Sequence, residues 1–568
     1  MKRMKTPDFN ALLGPGGALE TCIPLYENRP GQAEMAKAVW RVFSSGGVLL
    51  AEAGTGTGKS LAYLLPALLL DKRVVVSTGT KALQEQLARK DVPLCAKALG
   101  REVKAVTVKG RANYLCLHYW SRFLAEPLLK EKGEARLFST VARWAEKTRT
   151  GDRAELKGVP DDLSFWNEIS ARGERCLGTK CPLYRDCFVV KLKREAEAAE
   201  IILTNHHLLF ADLAVKSRAA DARVLPDYTH LVLDEAHDVE SAATSFFGTT
   251  ASRRMLGELL RDASKAAPKE RPALAEAISN AERAAERYFE IWEAGGERKI
   301  TIEPRAIPDG EPELRQRLEK LLDVVGHQLE AAGGASDEAF GLLERLETWR
   351  EAFVFALEES GADYVRIAEV RGKNVLISAN PIDIAPVMKE KLWTTLQSAL
   401  LTSATLCTGG SFEFLRRQLG IDGAGVDELR VQSPFDYSSQ GLFYVPERFP
   451  QPSSPEFLEA LCQEALSLVQ ASRGRAFLLC TSFKNMRALA QFLETTIPYP
   501  LLVQGDEPKG LLLEHFREAG NAVLCATVSF WQGVDVQGEA LSLVVLDKLP
   551  FGSPQDPLTQ ARIERLKK

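Results

Sequence analysis

Ala53-Gly54-Thr55-Gly56-Thr57-Gly58-Lys59-Ser60 decides how this chain folds. An apolar run, Val48-Leu49-Leu50-Ala51, precedes it, and a helix-like run, Leu61-Ala62-Tyr63-Leu64-Leu65, follows. Strand, glycine-rich turn and helix is the setting a phosphate-binding loop requires. Gly54, Gly56 and Gly58 let the backbone curl so that its N–H groups point at phosphate oxygens. The helix N-terminus adds partial positive charge. Lys59 can reach the β- and γ-phosphates of ATP, and the Ser60 hydroxyl can ligate Mg²⁺. The loop departs from G-x-x-x-x-G-K-[ST] at its first position, Ala53. An ordinary Gly-rich turn would have no need of the strand, the Lys-Ser pair and the helix together.

The chain has 568 residues, too many for one core, so roughly three or four domains are expected. Hydrophobic residues make up 45% and charged residues 26%, an ordinary soluble composition. A net charge of -4 argues for no nucleic-acid partner globally, so only local patches count. No apolar segment follows the basic Met1-Lys2-Arg3-Met4-Lys5, and the longest apolar run, near 61–70, is short and contains Pro66. A cytoplasmic protein without membrane contact is expected, and its ten cysteines then form no disulfide framework.

Upstream of the loop, Gln32 could read an adenine edge with its paired donor and acceptor. A solvent-facing helix cap is the competing reading. Downstream, the run Arg73–Thr78 reads as a buried strand, and Thr78-Gly79-Thr80 opens a helix, Leu83–Leu87. Two strand-to-helix turns side by side indicate a doubly wound α/β domain. Residues 103–108 read as another strand.

Residues 111–200 break this rhythm. Cys176, Cys181 and Cys187 fall within twelve residues, and Cys116 can supply a fourth thiolate. Four thiolates suit an iron–sulfur cluster or structural zinc. The spacings of four and five residues favour the cluster, because zinc prefers tighter pairs. Residues 172–194 are too polar to bury three cysteines as core. Arg185 and Lys191 belong to a basic patch there, interleaved with Tyr184 and Phe188, that suits a single strand and its stacked bases. A solvated charged face explains the patch nearly as well.

The strand pattern returns at Ile201–Asn205 and at Leu231-Val232-Leu233-Asp234-Glu235-Ala236-His237. Asp234 can hold Mg²⁺ and Glu235 can polarise the attacking water. Residues 238–360 show helical periodicity over 253–264, 272–294, 312–332 and 339–357, read as a helical insert. Gly and Pro interrupt it too often for a sustained coiled coil. Residues 364–377 read as a hairpin, Leu400–Leu406 as a strand ending in small hydroxyl residues, and a second α/β unit without a phosphate loop starts near 433.

In this order the motifs resemble the XPD-like branch of the superfamily-two DNA helicases, in particular the bacterial DinG/YoaA group. The similarity runs from about Tyr26 to the last residue. Residues 53–60 resemble motif I, 78–87 motif Ia, 234–237 the DEAH box, 402–405 motif III, 477–483 motif IV and 530–535 motif V. The resemblance implies an α/β fold of two RecA-like lobes with two inserted domains. Lobe 1 would comprise 1–110, 201–238 and 363–432. An iron–sulfur domain at 111–200 would hold a [4Fe–4S] cluster on Cys116, Cys176, Cys181 and Cys187. A helical arch would occupy 239–362, and lobe 2 would occupy 433–568. The resemblance further implies ATP bound by Gln32, Gly54, Thr55, Gly56, Thr57, Gly58, Lys59 and Ser60, with Gly533 and Asp535 contributing from lobe 2. Mg²⁺ would sit on Ser60 and Asp234, and Lys59, Asp234 and Glu235 would be the catalytic set. The expected partners are single-stranded DNA and 5′-tailed duplexes, met by a monomer that moves 5′→3′. Arg185, Lys191, Thr80 and Asn205 are the candidate DNA contacts. The family's motif VI, Q-x-x-G-R-x-x-R, is missing, so a chain cut short before it is expected. Arg562 and Arg565 lack the Gln-Gly context to replace its arginines. Two rival readings follow. One is an ATP- and DNA-binding module with little turnover; the other is a redox-responsive DNA-binding protein.

Overall fold

The computed structural model describes residues 6–23, 26–125, 134–156, 158–160, 163–173, 176–218, 223–266, 271–333, 337–359, 361–423, 425–531, 534, 536 and 538–567. The strands, in chain order, begin with β1 (Gly47–Ala53), β2 (Val74–Thr78), β3 (Ala105–Thr107), β4 (Ile201–Asn205) and β5 (His230–Asp234). Next come β6 (Thr249–Ser252), β7 (Arg298–Thr301), β8 (Tyr364–Arg371), β9 (Asn374–Pro381), β10 (Ser398–Ser403) and β11 (Val426–Val431). The last are β12 (Ala476–Cys480), β13 (Leu501–Val503), β14 (Val523–Thr527) and β15 (Leu543–Leu546).

The first sheet has the order β11-β1-β10-β5-β2-β4-β3, and its neighbours run parallel. Its strands are near-continuous apolar runs because both faces are covered by helices. Side chains alternate between the faces. Leu49, Val74, Val76, Leu203 and Leu400 enter the core beneath helices Pro30–Ser45 and Lys59–Leu69. Leu50, Val75, Ile202, Leu231 and Leu401 enter the opposite core, with helices Val239–Phe247 and Glu413–Leu419. A second parallel sheet, β13-β14-β12-β15, carries the second α/β unit.

Two stretches pack on cores of their own. Residues between 111 and 200 gather Trp120, Phe123, Phe165, Trp166 and Phe188 around Ile169. Residues 249–381 form an antiparallel sheet, β6-β9-β8-β7, against helices Arg253–Ala266, Pro272–Glu293, Glu311–Gly333 and Asp337–Val354. The helical expectation therefore needs a correction. The β8–β9 hairpin, expected to open the last part of the first lobe at 363, buries Ala368, Val370, Val375 and Ile377 with Tyr288, Trp292 and Phe353. Its alternating apolar face is filled by those helices, and the chain rejoins the first sheet's core only at Ile384.

Candidate active site

Parallel strands of the first sheet bring their carboxyl ends to one edge, where open α/β sheets take ligands. β1 runs into the loop 53–60. Gly58 caps helix Lys59–Leu69 with φ 79°. That backbone conformation favours glycine, and a Cβ there would lie 2.2 Å from Gln32 Nε2 and force the amide off its bond to the Gly58 carbonyl. Thr57 Oγ1 donates to the Gly54 carbonyl at 2.6 Å and closes the loop. Lys59 Nζ reaches the Ala53 carbonyl at 3.4 Å.

Gln32 is 2% exposed, which removes the solvent-facing cap reading. Its Nε2 donates to the Gly58 carbonyl at 3.0 Å, while its Oε1 is buried with no partner among the described residues. An unmet buried acceptor of this kind costs ~1–3 kcal/mol. The exocyclic amine of adenine is the donor that would satisfy it. Arg29, one turn before, also buries an unpartnered Nε. These residues fit a bound ATP.

The strand order sets β10 between β1 and β5. Register pairs Glu52 with Ser403 and Thr402 with Asp234, so the loop, the acidic pair and the Ser403 hydroxyl share one edge. Asp234 is buried and accepts the Tyr63 hydroxyl on Oδ2 at 2.9 Å. Burial first, then the neighbouring Glu235, push its carboxyl up to about 6 against the pull of Lys59. Ser60 opens helix Lys59–Leu69 beside Tyr63 and buried Asp91, and its hydroxyl pulls both their titrations down, which sets it near the same polar group. A hydroxyl and a buried carboxylate meeting here make a hard-oxygen donor set suited to Mg²⁺.

Glu235 has φ 57°, a left-handed backbone that non-glycine residues seldom take. Ser403 Oγ donates to Glu235 Oε2 at 3.0 Å and lies 2.7 Å from His237 Nδ1. Glu235 is thus held by the strand next door. Glu52 performs a related task, accepting the N–H groups of Leu406 and Cys407 at 2.7 and 2.6 Å. Burial pushes its carboxyl up, and those N–H bonds bring it net below the usual range.

Several contacts here lay beyond sequence reasoning. Ser433 Oγ donates to the Thr55 carbonyl at 2.8 Å, and the Tyr437 hydroxyl lies 2.6 Å from Thr55 Oγ1. Phe435 covers Gly56, where a Cβ would fall 2.3 Å from its ring. The only trace in the sequence is an aromatic pair just after β11.

Residues 29–116 match the DEAD/DEAH box helicase family and residues 465–568 the helicase C-terminal domain family. The chain is 36% identical over 569 residues to the ATP-dependent DNA helicase YoaA of Escherichia coli (strain K12), covering 98% of this chain and 87% of that protein. It is 32% identical to the ATP-dependent helicase DinG of Mycobacterium tuberculosis, over 94% and 83%. This chain belongs to the XPD-like DinG/YoaA helicase family. A solved XPD helicase superposes with a TM-score of 0.55 at 15% identity, over 96% of this chain and 89% of that one, and shows the shared fold.

In this DinG/YoaA family member Cys116 immediately precedes helix Leu117–Ala125, and Cys187 caps helix Phe188–Glu197. Cys116, Cys181 and Cys187 are half-buried and Cys176 is exposed, all outside the aromatic core of their segment. Burial raises the Cys116 thiol, the N–H groups of Tyr119 and His118 pull it back, and Cys187 and Cys176 add to the rise. Among the described residues no group of three or more His, Cys, Asp or Glu is close enough to hold a metal ion. Arg185 and Lys191 are exposed, Lys191 lying 4.0 Å from Asp186. Phe188 is core, packed on Gly151, and cannot stack a base. Thr80 and Asn205 are at the same sheet edge as the nucleotide loop and cap helices, accepting from Leu83 and Leu208. Gly533 and Asp535 lie outside the described residues. Arg562 is far from any phosphate role, engaged with Glu240, Thr244 and the Ile382 carbonyl. Arg565 pairs with Asp383 at 3.2 Å.

Proposed function

We propose that this chain is an ATP-dependent DNA helicase that moves 5′→3′ on single-stranded DNA and opens 5′-tailed duplexes as a monomer. The observation that carries the reading is Glu235, held by Ser403 beside buried Asp234 at the mouth of the phosphate loop. Loop N–H groups and Lys59 bind the phosphates. Glu235 Oε2 accepts a proton from the attacking water as the γ-phosphate leaves. Ser60 and Asp234 would hold Mg²⁺, which screens charge between phosphate oxygens when bound. Ser403 and His237 orient Glu235. Gly533 and Asp535 would complete the cleft from the second lobe, so that each hydrolysis cycle closes and reopens it and ratchets the strand. Cys116, Cys176, Cys181 and Cys187 would hold a [4Fe–4S] cluster that ties distant points of 111–200 together. The test is strand separation on 5′-tailed and 3′-tailed duplexes, with ATP hydrolysis measured with and without single-stranded DNA. Equal opening of both tails would end the polarity reading.

Gln32→Ala should lower ATP affinity roughly tenfold and erase most preference for ATP over GTP, since one oriented amide carries the adenine recognition. Nucleotide competition binding checks this. Unaltered preference would place base recognition elsewhere.

Mg²⁺-dependent nucleotide binding should weaken as pH falls through about 6. Above that value Asp234 is a free carboxylate; below it a proton occupies the metal's place. Titrations across this range with Mg²⁺ and with chelator should differ in this step, and Asp234→Asn should remove it. A step that persists in the chelated sample would assign it to another group.

A further inference from the structure

Helices Pro272–Glu293 and Glu311–Gly333 pack through Ile278, Leu318 and Leu322 and leave a groove of about 520 Å³ between their outer faces. Arg283 and Arg287 line one wall, and Arg317 and Lys320 line the other. Glu313 is the one carboxylate among the residues lining it. All four cations are exposed. Elsewhere on these helices and their neighbour the cations are paired, Arg315 with Glu311 and Glu358 and Arg350 with Asp323. No carboxylate among the described residues pairs with the four in the groove; Arg283 bonds Asn280 instead. Arg283 and Arg287 stand one turn apart, where like charges work against the helix. In a protein of net charge -4, this is a local positive field that forms no ion pair among the described residues.

We propose that this groove binds the phosphate backbone of DNA on a surface apart from the sheet edge that carries the candidate contacts Thr80 and Asn205. The inference rests on the DNA-helicase reading and extends it to a second contact surface. Residues 280–287 run about 10 Å along their helix. Phosphates of one duplex strand advance about 3.4 Å each along the helix axis, so the groove faces at most about three. Guanidinium forks suit phosphate oxygens, and four cations outnumber the single carboxylate, Glu313, among the residues lining the groove. The surface shares no residue with the phosphate loop, the cysteine segment, Thr80 or Asn205.

The full chain carrying Arg283→Gln, Arg287→Gln, Arg317→Gln and Lys320→Gln is compared with the unaltered chain on a strand of roughly 12 nucleotides, on a strand of roughly 60, and on a fork. Each lost phosphate contact lowers the slope of log affinity against log salt by about 0.7 to 0.9. The long strand, the fork or both should lose about two to three units of slope and roughly tenfold or more in affinity near physiological salt. The short strand should bind equally well and stimulate ATP hydrolysis equally. Whether strand or fork is affected identifies the DNA form the groove takes. Arg283→Lys with Arg287→Lys and Arg317→Lys should keep the slope, which separates charge from structural damage, as should an unchanged melting temperature. Equal slopes for the neutral variant on every DNA would overturn the proposal while leaving the helicase reading intact. A groove that bound polyglutamate in preference to DNA would overturn it too. Absence of DNA binding by the unaltered chain would remove the helicase reading itself.

Discussion

Glu235→Gln is expected to abolish ATP turnover while leaving ATP binding unchanged. In the proposed mechanism this carboxylate takes the proton from water, and an amide of the same shape cannot accept it. Losing such a base lowers the rate by roughly 10³-fold. In the proposed site, ground-state phosphate binding falls to Lys59 and the loop N–H groups, which the substitution does not touch. Glu235 also sits in a left-handed backbone and accepts the Ser403 hydroxyl, so its direction is fixed from two sides. Ser403→Ala should therefore cost less, on the order of 10- to 100-fold, as expected for one hydrogen bond to a charged group. Equilibrium nucleotide binding and single-turnover hydrolysis separate the two effects. Hydrolysis by Glu235→Gln within tenfold of the unaltered rate would mean another residue handles the water.

How much of this was legible beforehand depended on the range of the signal. The loop at 53–60 and the pair at 234–235 are local patterns, each a strand end with its own turn, and the continuous burial of Val74–Val76 follows from an unbroken apolar run. Helices 272–293 and 311–333 were legible because three- and four-residue spacing is local too. What was hidden is what depends on pairing. Nothing in Ser403 announces that β10 slides between β1 and β5, yet that insertion puts its hydroxyl on Glu235. The sequence shows a hairpin over 364–377, but its alternation fits any apolar partner, so its attachment to the helices around Phe353 is not legible there. Local sequence leaves the cap and adenine readings of Gln32 both open for the same reason. A glutamine in a first helical turn is usually solvated, and only the return of Gly58 over it buries the amide. Phe188 reads as a stacking aromatic until Gly151 packs against its ring.

Anaerobically prepared protein is expected to be brown and to carry roughly four irons per chain, and Cys181→Ser should lose them. Cys95, Cys462, Cys480 and Cys525 are buried and serve as small apolar side chains, whereas Cys116, Cys176, Cys181 and Cys187 stay at the surface of their segment's core. Serine preserves volume but offers a hard, protonated oxygen where iron and sulfide prefer thiolate. The consequence should be local. The Cys116 amide bonds the Ile169 carbonyl at 2.8 Å, and Cys187 starts the helix that carries Phe188 into the aromatic core. Untying these points should expose residues 111–200 to protease and abolish strand separation. ATP affinity should survive, because Gln32 and the loop stand on the first sheet's own core. Iron analysis, limited proteolysis and nucleotide binding on the same preparation make the comparison. One tightly held zinc with no iron would overturn the cluster. Intact iron in Cys181→Ser would remove that residue from the ligand set. Loss of ATP binding together with iron would show that the cysteine segment supports the whole first sheet, which its separate core argues against.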